Sequence, residues 1–381
     1  MPPSIVSTYF SVFAFVLGAA IGSFLNVCIY RMPRNLSVNN PRRSFCPSCN
    51  YQIPWSNNLP LISWLVLRGK CANCGSRIAF RYFGVELLTG LLFLAVWRKV
   101  WPDSWVLAFP YWVLMGLFVV ATFIDFEHFI IPDEITWGGA IAGILLSFAI
   151  PLMHAGESKM FPNTFVENSP LYSGMWAIVG AVVGYGLLWI VVEVGKMVFG
   201  KKQLAFEKPT PMKWVRKDLE ADLDIGEEKT MQWADFFARG NEELRMDCAW
   251  IEIDGDRHES VSARWTLDWI HIGDRKWQLE KVGVISGEVT QVVLPREAMG
   301  LGDVKFLACI GAFLGWQAVL FTVIAASMVG SVIGGTAILL RRREWSAKIP
   351  FGPYLALGAV VWLFAGPQIL HWYLRLAAVP P

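Results

Sequence analysis

Charge is scarce in this 381-residue chain. Only 17% of its residues are Asp, Glu, Lys or Arg, against roughly 25% in a typical soluble domain, while 55% are hydrophobic. That balance excludes a disordered chain and argues against an ordinary soluble enzyme. The first 30 residues carry no charged side chain; a secretory signal peptide wants a basic leading segment, so none is expected. Several catalytic signatures are also missing. There is no H-E-x-x-H, no G-x-S-x-G and no G-x-G-x-x-G, which leaves zinc-protease, serine-hydrolase and Rossmann-type nucleotide chemistry without support. The basic residues are scattered beside apolar runs, so no nucleic-acid partner is expected.

What the chain does have is long apolar stretches and aromatics. Nineteen Trp and 25 Phe suit a protein with side chains at bilayer interfaces. A spanning helix needs about 20 largely apolar residues. Runs near 7–30, 83–101, 105–124, 135–153, 173–199, 304–318, 319–340 and 350–374 qualify. The expected fold is an α-helical polytopic membrane protein with about eight transmembrane helices in the lipid bilayer. Arg31, Arg34, Arg42 and Arg43 follow the first run, which by the positive-inside rule puts the N-terminus outside and the next loop in the cytoplasm. Lys201, Lys202 and Arg341 to Arg343 agree with that orientation; Arg98 and Lys99 count against it.

The charges that exist are concentrated. Residues 201–297 hold 15 Lys/Arg and 20 Asp/Glu, 35 of the 64 in the chain. The expected organisation is a first helix (1–31), a cytoplasmic four-cysteine loop (32–82), helices two to five (83–199), a soluble cytoplasmic insertion (200–299) and helices six to eight (300–381). Within the insertion, 207–247 reads as short helices or partial disorder. Residues 248–294 alternate apolar and polar positions around Gly255-Asp256 and Gly273-Asp274, the pattern of a small antiparallel sheet.

Two constellations carry chemistry. Cys46 and Cys49 form one C-x-x-C pair, and Cys71 and Cys74 form another 21 residues on. Four thiolates in two tight turns can close a tetrahedron around Zn²⁺ and leave no open position, so the expected metal is structural zinc, with redox pairs the lesser reading. The second constellation is acidic. Asp125 ends an apolar run and is followed by Glu127, Asp133 and Glu134; Asp303 lies in Gly300-Leu301-Gly302-Asp303 at the start of another run. Ionisable groups at the lipid boundary are costly and point to function. Two adjoining carboxylates can divide the work of activating water and protonating an amine. The bland readings are a solvated helix end for Asp125, a helix cap for Asp133 or Asp303, and solvated interfacial charges for Glu127, Asp133, Glu134 and Glu297.

Four segments resemble the bacterial type IV prepilin peptidase family: GSFLNVCIYRMP (22–33), the CPSC…CANCG loop running into SRIAFRYFGVELLTG (76–90), IDFEHFIIPDEIT (124–136), and GLGDVKFLACIGAFLGW (300–316) followed by PFGPYLALG (350–358). The resemblance implies a GxGD-type membrane aspartic protease in the bacterial inner membrane, with Asp125 and Asp303 catalytic at its cytoplasmic face and Gly300 and Gly302 as motif glycines. It implies substrates that are type IV prepilins or pseudopilins, cut after the Gly that ends a short basic leader. It further implies methylation of the new N-terminus with S-adenosylmethionine, an activity associated with the four-cysteine region. Glu127, Asp133 and Glu134 are then candidates for holding the basic leader, and 200–296 for contacting pilus or secretion machinery. The rivals are cleavage without methylation, and a non-catalytic transporter or scaffold using the two aspartates.

Overall fold

The computed structural model describes residues 3–41, 43–160, 169–199, 202–217, 220–226, 231–233, 243–294, 300–340 and 350–377. Glu297, Lys201, Arg42 and Arg341 to Arg343 lie outside them. The chain divides into two compact units, Met1–Trp189 with Leu301–Pro381, and Ile190–Gly300.

The first unit is helical. Its elements are α1 (Pro3–Arg31), the short α2 (Ile62–Val66), α3 (Phe80–Val100), α4 (Ala108–His128), α5 (Asp133–Ala149), α6 (Pro170–Phe199), α7 (Leu301–Leu339) and α8 (Gly352–Ala377). Apolar helices gain little from mutual burial in lipid, so small residues must let backbones approach. Gly18 and Gly22 of α1 do this against α3, where an added Cβ would sit 2.8 Å from the Thr89 oxygen and from the Glu86 Cα respectively. Gly180 of α6 meets Gly311 of α7 so closely that a Cβ on either would lie 2.1 Å from the other's carbonyl oxygen.

Among the described residues, six helices are long and apolar enough to cross a membrane, within Ser7–Arg34, Phe80–Val100, Trp105–His128, Pro170–Gly195, Leu301–Thr336 and Gly352–Leu370. The sequence suggests eight, and the difference has two causes. α5 has only 17 residues, about 26 Å at 1.5 Å per residue, short of a hydrocarbon core of about 30 Å. The expected spans 304–318 and 319–340 belong to the single element α7, broken at Gly315 with φ 82°. The two arms turn toward each other there. A Cβ on Gly311 would lie 3.0 Å from Val319 Cγ2, although eight residues span about 12 Å in an unbroken helix.

The second unit is an eight-stranded antiparallel sheet in the order β3-β2-β1-β8-β4-β5-β6-β7. The strands are β1 (Lys202–Lys217), β2 (Glu220–Ile225), β3 (Met231–Gln232), β4 (Leu244–Ile253), β5 (Asp256–Trp265), β6 (Trp269–Ile272), β7 (Arg275–Gln278) and β8 (Val284–Leu294). The antiparallel sheet expected within 248–294 is present, although the expected strand at 265–267 is not: Trp265 ends β5, and Thr266 and Leu267 lie in the turn before β6. The expectation of short helices or disorder over 207–247 is corrected: its described residues include β2, β3, most of β1 and the start of β4. Pro209 and Pro211 and the clustered charges mask an alternation in which Met212 and Trp214 are buried. The partner that orders β1 is β8, at the far end of the domain, with Trp214 opposite Ile285. A bulge at Cys248/Trp250 shifts the phase of β4, so Leu244, Met246 and Cys248 and then Ile251 and Ile253 all face the core. Trp233 closes that core edge-on against Trp214 and Trp265, with ring centroids 6.2 and 5.2 Å away.

Candidate active site and metal centre

The acidic site is built at the ends of three helices and one short connection. α4 stops because Phe129 adopts the left-handed conformation (φ 54°) and returns its N–H to the Asp125 carbonyl at 3.0 Å. This leaves Asp125 in the last turn, buried at 5% exposure. Phe118 lies seven residues before it, two turns back on the same face. Phe306 lies one turn after Asp303 on α7. These two rings meet edge-on with centroids 5.7 Å apart, so the faces of α4 and α7 that carry the acids are turned to each other. Asp303 is also buried, at 9% exposure, and its Oδ1 has no hydrogen-bond partner among the described residues. Asp125 is the charge that acts on Asp303 electrostatically.

The third element is α8. The Gly352 N–H donates to Asp125 Oδ2 at 2.9 Å, fixing the carboxylate at the first residue of that helix. A Cβ on Gly352 would lie 2.8 Å from Asp125 Oδ2 and from Ile131 Cδ1. Ile131 packs in turn on Gly302, whose added Cβ would be 3.4 Å from the Ile131 Cβ. Asp125, Gly352, Ile131, Gly302 and Asp303 thus form one contiguous cluster. Gly300 is exposed just before α7.

The other expected acids are placed differently. Glu127 is exposed and ion-paired to Arg81 at the start of α3. Asp133 is paired to Lys305 of α7 at 2.6 Å. Glu134 is exposed in the first turn of α5 and makes no ion pair among the described residues. Sequence reasoning missed Gly352, Arg81 and Lys305, because each acts through a partner far along the chain.

The four-cysteine segment folds as two similar knuckles. In the first, the Cys46 N–H donates to the Tyr51 oxygen (3.0 Å) and the Asn50 N–H to the Cys46 oxygen (2.9 Å). In the second, the Cys71 N–H donates to the Ser76 oxygen (2.9 Å) and the Gly75 N–H to the Cys71 oxygen (3.0 Å). Each knuckle needs a left-handed residue four positions after its first cysteine. Asn50 (φ 54°) and Gly75 (φ 71°) supply it, and they are residue types that tolerate it. The four sulfurs lie within 4.8 Å of one another, with Cys46 and Cys74 at 3.9 Å. A tetrahedron with Zn–S bonds of about 2.3 Å has edges of about 3.8 Å, so the donor set fits a four-thiolate ion. The Cys46 thiol is lowered to about 6: burial pushes it up, and the Ser76 hydroxyl with the Ser48 and Cys49 backbone pulls it further down. A metal ligand needs that ionised form.

Comparison with known proteins bears on both sites. Residues 16–100, with all four cysteines, match the bacterial peptidase A24 N-terminal domain. Residues 112–205 and 278–335, with both buried aspartates, match the type IV leader peptidase family. A relative from Myxococcus xanthus is 40% identical over 99% of this chain and 79% of its own length. The chain belongs to the type IV leader peptidase family. Two further relatives come from Aeromonas hydrophila (29% identity, 96% of this chain and 94% of the relative) and Pseudomonas aeruginosa (26%, 95% and 92%). All three are named prepilin leader peptidase/N-methyltransferase. No solved structure matches the chain. The leader peptidase match is interrupted between 205 and 278, inside the sheet unit, so both carboxylates belong to the part the family shares.

Proposed function

We infer that this multi-pass membrane protein removes the leader from type IV prepilins or pseudopilins and methylates the N-terminus it exposes. The observation that carries the peptidase half is the cluster in which Asp125 and Asp303, from opposite ends of the helical unit, are buried together. In the proposed mechanism one carboxylate takes a proton from water as the water attacks the scissile carbonyl, and the other protonates the leaving amine. No acyl-enzyme forms. Gly352 holds Asp125 in position, and the unpartnered Asp303 Oδ1 is free for water or substrate. The proposed location is the bacterial inner membrane, with the N-terminus outside and the acidic site facing the cytoplasm. The sheet unit is proposed to contact pilus or secretion machinery; no nucleic acid takes part.

The test is incubation of the purified protein with a prepilin and S-adenosylmethionine, read by mass spectrometry. Cleavage after the leader plus one added methyl is expected. Cleavage alone reduces the protein to a peptidase, and an uncut substrate beside ion-coupled flux turns the reading to a transporter.

Two variants probe the site's surroundings. Gly352→Val forces a side chain against Asp125 Oδ2. A shift of about 1 Å at a reacting group costs on the order of 100-fold; kcat should fall by about that much with KM little changed, and an unchanged kcat would remove Gly352 from the site. Glu127 and Asp133 already have basic partners, so Glu134 is the acid left to attract a basic leader. Glu134→Lys should raise KM about threefold to tenfold at constant kcat, the signature of lost uniform binding. A KM unmoved by the reversal would sever Glu134 from leader binding.

A further inference from the structure

The segment between α1 and α3 has charge of one sign only. Residues 32–79 hold six Lys/Arg and no Asp or Glu. Four thiolates around one Zn²⁺ would carry a net charge of −2, which still leaves the segment basic. It also carries bulky apolar side chains that stand uncovered. Trp55 is 79% exposed and Val66 73%, and Leu59, Ile62 and Leu65 are exposed with them. Ile62, Leu65 and Val66 fall at i, i+3 and i+4 of α2, so they share one face of that short helix. Its other side is occupied. Ser63 Oγ accepts the Leu59 N–H at 2.9 Å, and the Trp64 ring packs on Phe80 and Phe83 with centroids 5.6 and 5.3 Å away.

The depth of α2 says what covers the open face. Phe80 begins α3, whose 21 residues span about 32 Å, the thickness of a hydrocarbon core. Leu61, just before α2, donates its N–H to Glu86 Oε2 at 2.7 Å. Glu86 is six residues into α3, about 9 Å inside that helix. Amphipathic helices at a bilayer surface bury their apolar face by about 5–10 Å, so α2 lies where headgroups give way to acyl chains. Trp64 makes the surface continuous, since Phe80 beneath it is itself exposed at the start of the span. Arg68 and Lys70 follow α2, both exposed and without an ion pair among the described residues.

We propose that residues 55–70 anchor the four-cysteine segment on the bilayer. Trp55, Leu59, Ile62, Leu65 and Val66 enter the headgroup–acyl boundary, and Arg68 and Lys70 meet anionic lipid headgroups. The leaflet is the one beside the acidic site, because Arg81 at the start of α3 is paired to Glu127, two residues after Asp125. A prepilin fits the surface less well: a basic leader would meet a segment with no acid to hold it. The anchor goes beyond the peptidase and methyl-transfer reading and depends only on the helical unit spanning a membrane. It sets the height of the metal knuckles, since Cys71 follows Lys70 directly.

The experiment places the photo-crosslinking residue p-benzoylphenylalanine at Val66, and separately at Trp55, in the full-length protein. The protein is held in nanodiscs of phosphatidylglycerol and phosphatidylcholine in equal amounts. Leu91, exposed midway along α3, is the lipid-facing control, and Glu259, exposed on β5, the solvent control. After irradiation and digestion, mass spectrometry should find peptides from 55–70 carrying the mass of one phospholipid, as at Leu91 and not at Glu259. Phosphatidylglycerol adducts should exceed phosphatidylcholine adducts by about threefold to tenfold, the scale of one basic residue at an anionic surface. Replacing Arg68 and Lys70 by Gln should remove that preference. Capture of added prepilin or of the sheet unit in place of lipid, or no adduct at 55 and 66 while Leu91 is labelled, would overturn the anchor. Equal capture of the two lipids would overturn the part given to Arg68 and Lys70. Hydroxyl-radical footprinting of the unsubstituted protein in the same discs keeps the test in force where a variant does not fold. Trp55 is more exposed than the half-buried Trp269 of the sheet unit, yet the bilayer should make it the slower of the two to oxidise; the opposite order would also overturn the anchor.

Discussion

An Asp303→Asn enzyme will leave prepilin uncut, and so will Asp125→Asn. Each substitution keeps the shape of the side chain and removes its ability to exchange a proton. Positioned acid–base groups contribute roughly 10²–10⁴-fold, and in the proposed mechanism both proton transfers depend on the same two groups. Cleavage should therefore fall by at least about 10³-fold. Folding should survive, because the helices are held by close glycine approaches such as Gly180 to Gly311, away from the acids. Comparing leader removal by mass spectrometry with the melting temperature separates lost chemistry from lost structure. An Asp303→Asn protein that still processed prepilin would end the proposed mechanism.

Cys71→Ser should have the second-largest effect, and on a different activity. Each knuckle's turn is set by backbone hydrogen bonds, while the two knuckles meet through long sulfur contacts, Asn73 Nδ2 to Cys49 Sγ at 3.7 Å and Cys46 Sγ to Ser76 Oγ at 3.6 Å, so shared ligation to one ion is the expected firm link between them. A structural four-thiolate zinc contributes on the order of 10 kcal/mol to the fold around it. A serine oxygen is a poor substitute in that set. Metal content by elemental analysis should drop from about one ion per chain to near zero. The segment 44–78 should then become open to proteolysis. Methylation should fall more than tenfold, because the resemblance ties that activity to the four-cysteine segment. Cleavage should fall less, since Asp125, Asp303 and Gly352 all stand on α4, α7 and α8. Full metal occupancy with undiminished methylation would contradict both the ligand set and its link to methylation.

What could be read from the sequence follows from range. The C-x-x-C pairs are local, and their sulfurs converge as the spacing suggests. The alternation in 248–294 is local too, and the sheet it suggests is there. β1 is not local. Its order comes from β8, and its prolines and lysines disguise the buried Met212 and Trp214. Gly315 reads as one more small residue in an apolar run, yet its positive φ marks the break between the two arms of α7. The same logic holds at the acidic cluster. Asp125 and Asp303 are visible as charges at the ends of apolar runs. The Gly352 N–H that orients Asp125 leaves no trace in composition, because a backbone donor has no letter of its own.

If Asp125 and Asp303 act as one unit, a double-mutant cycle will show it. Cleavage would be measured under single-turnover conditions for Asp125→Asn, Asp303→Asn and the doubly substituted enzyme. Groups that share one chemical step are strongly non-additive. The double variant should be no slower than either single one. Losses that multiply, with a slow but real rate in each single variant and a far slower one in the double, would show two independent carboxylates and contradict it.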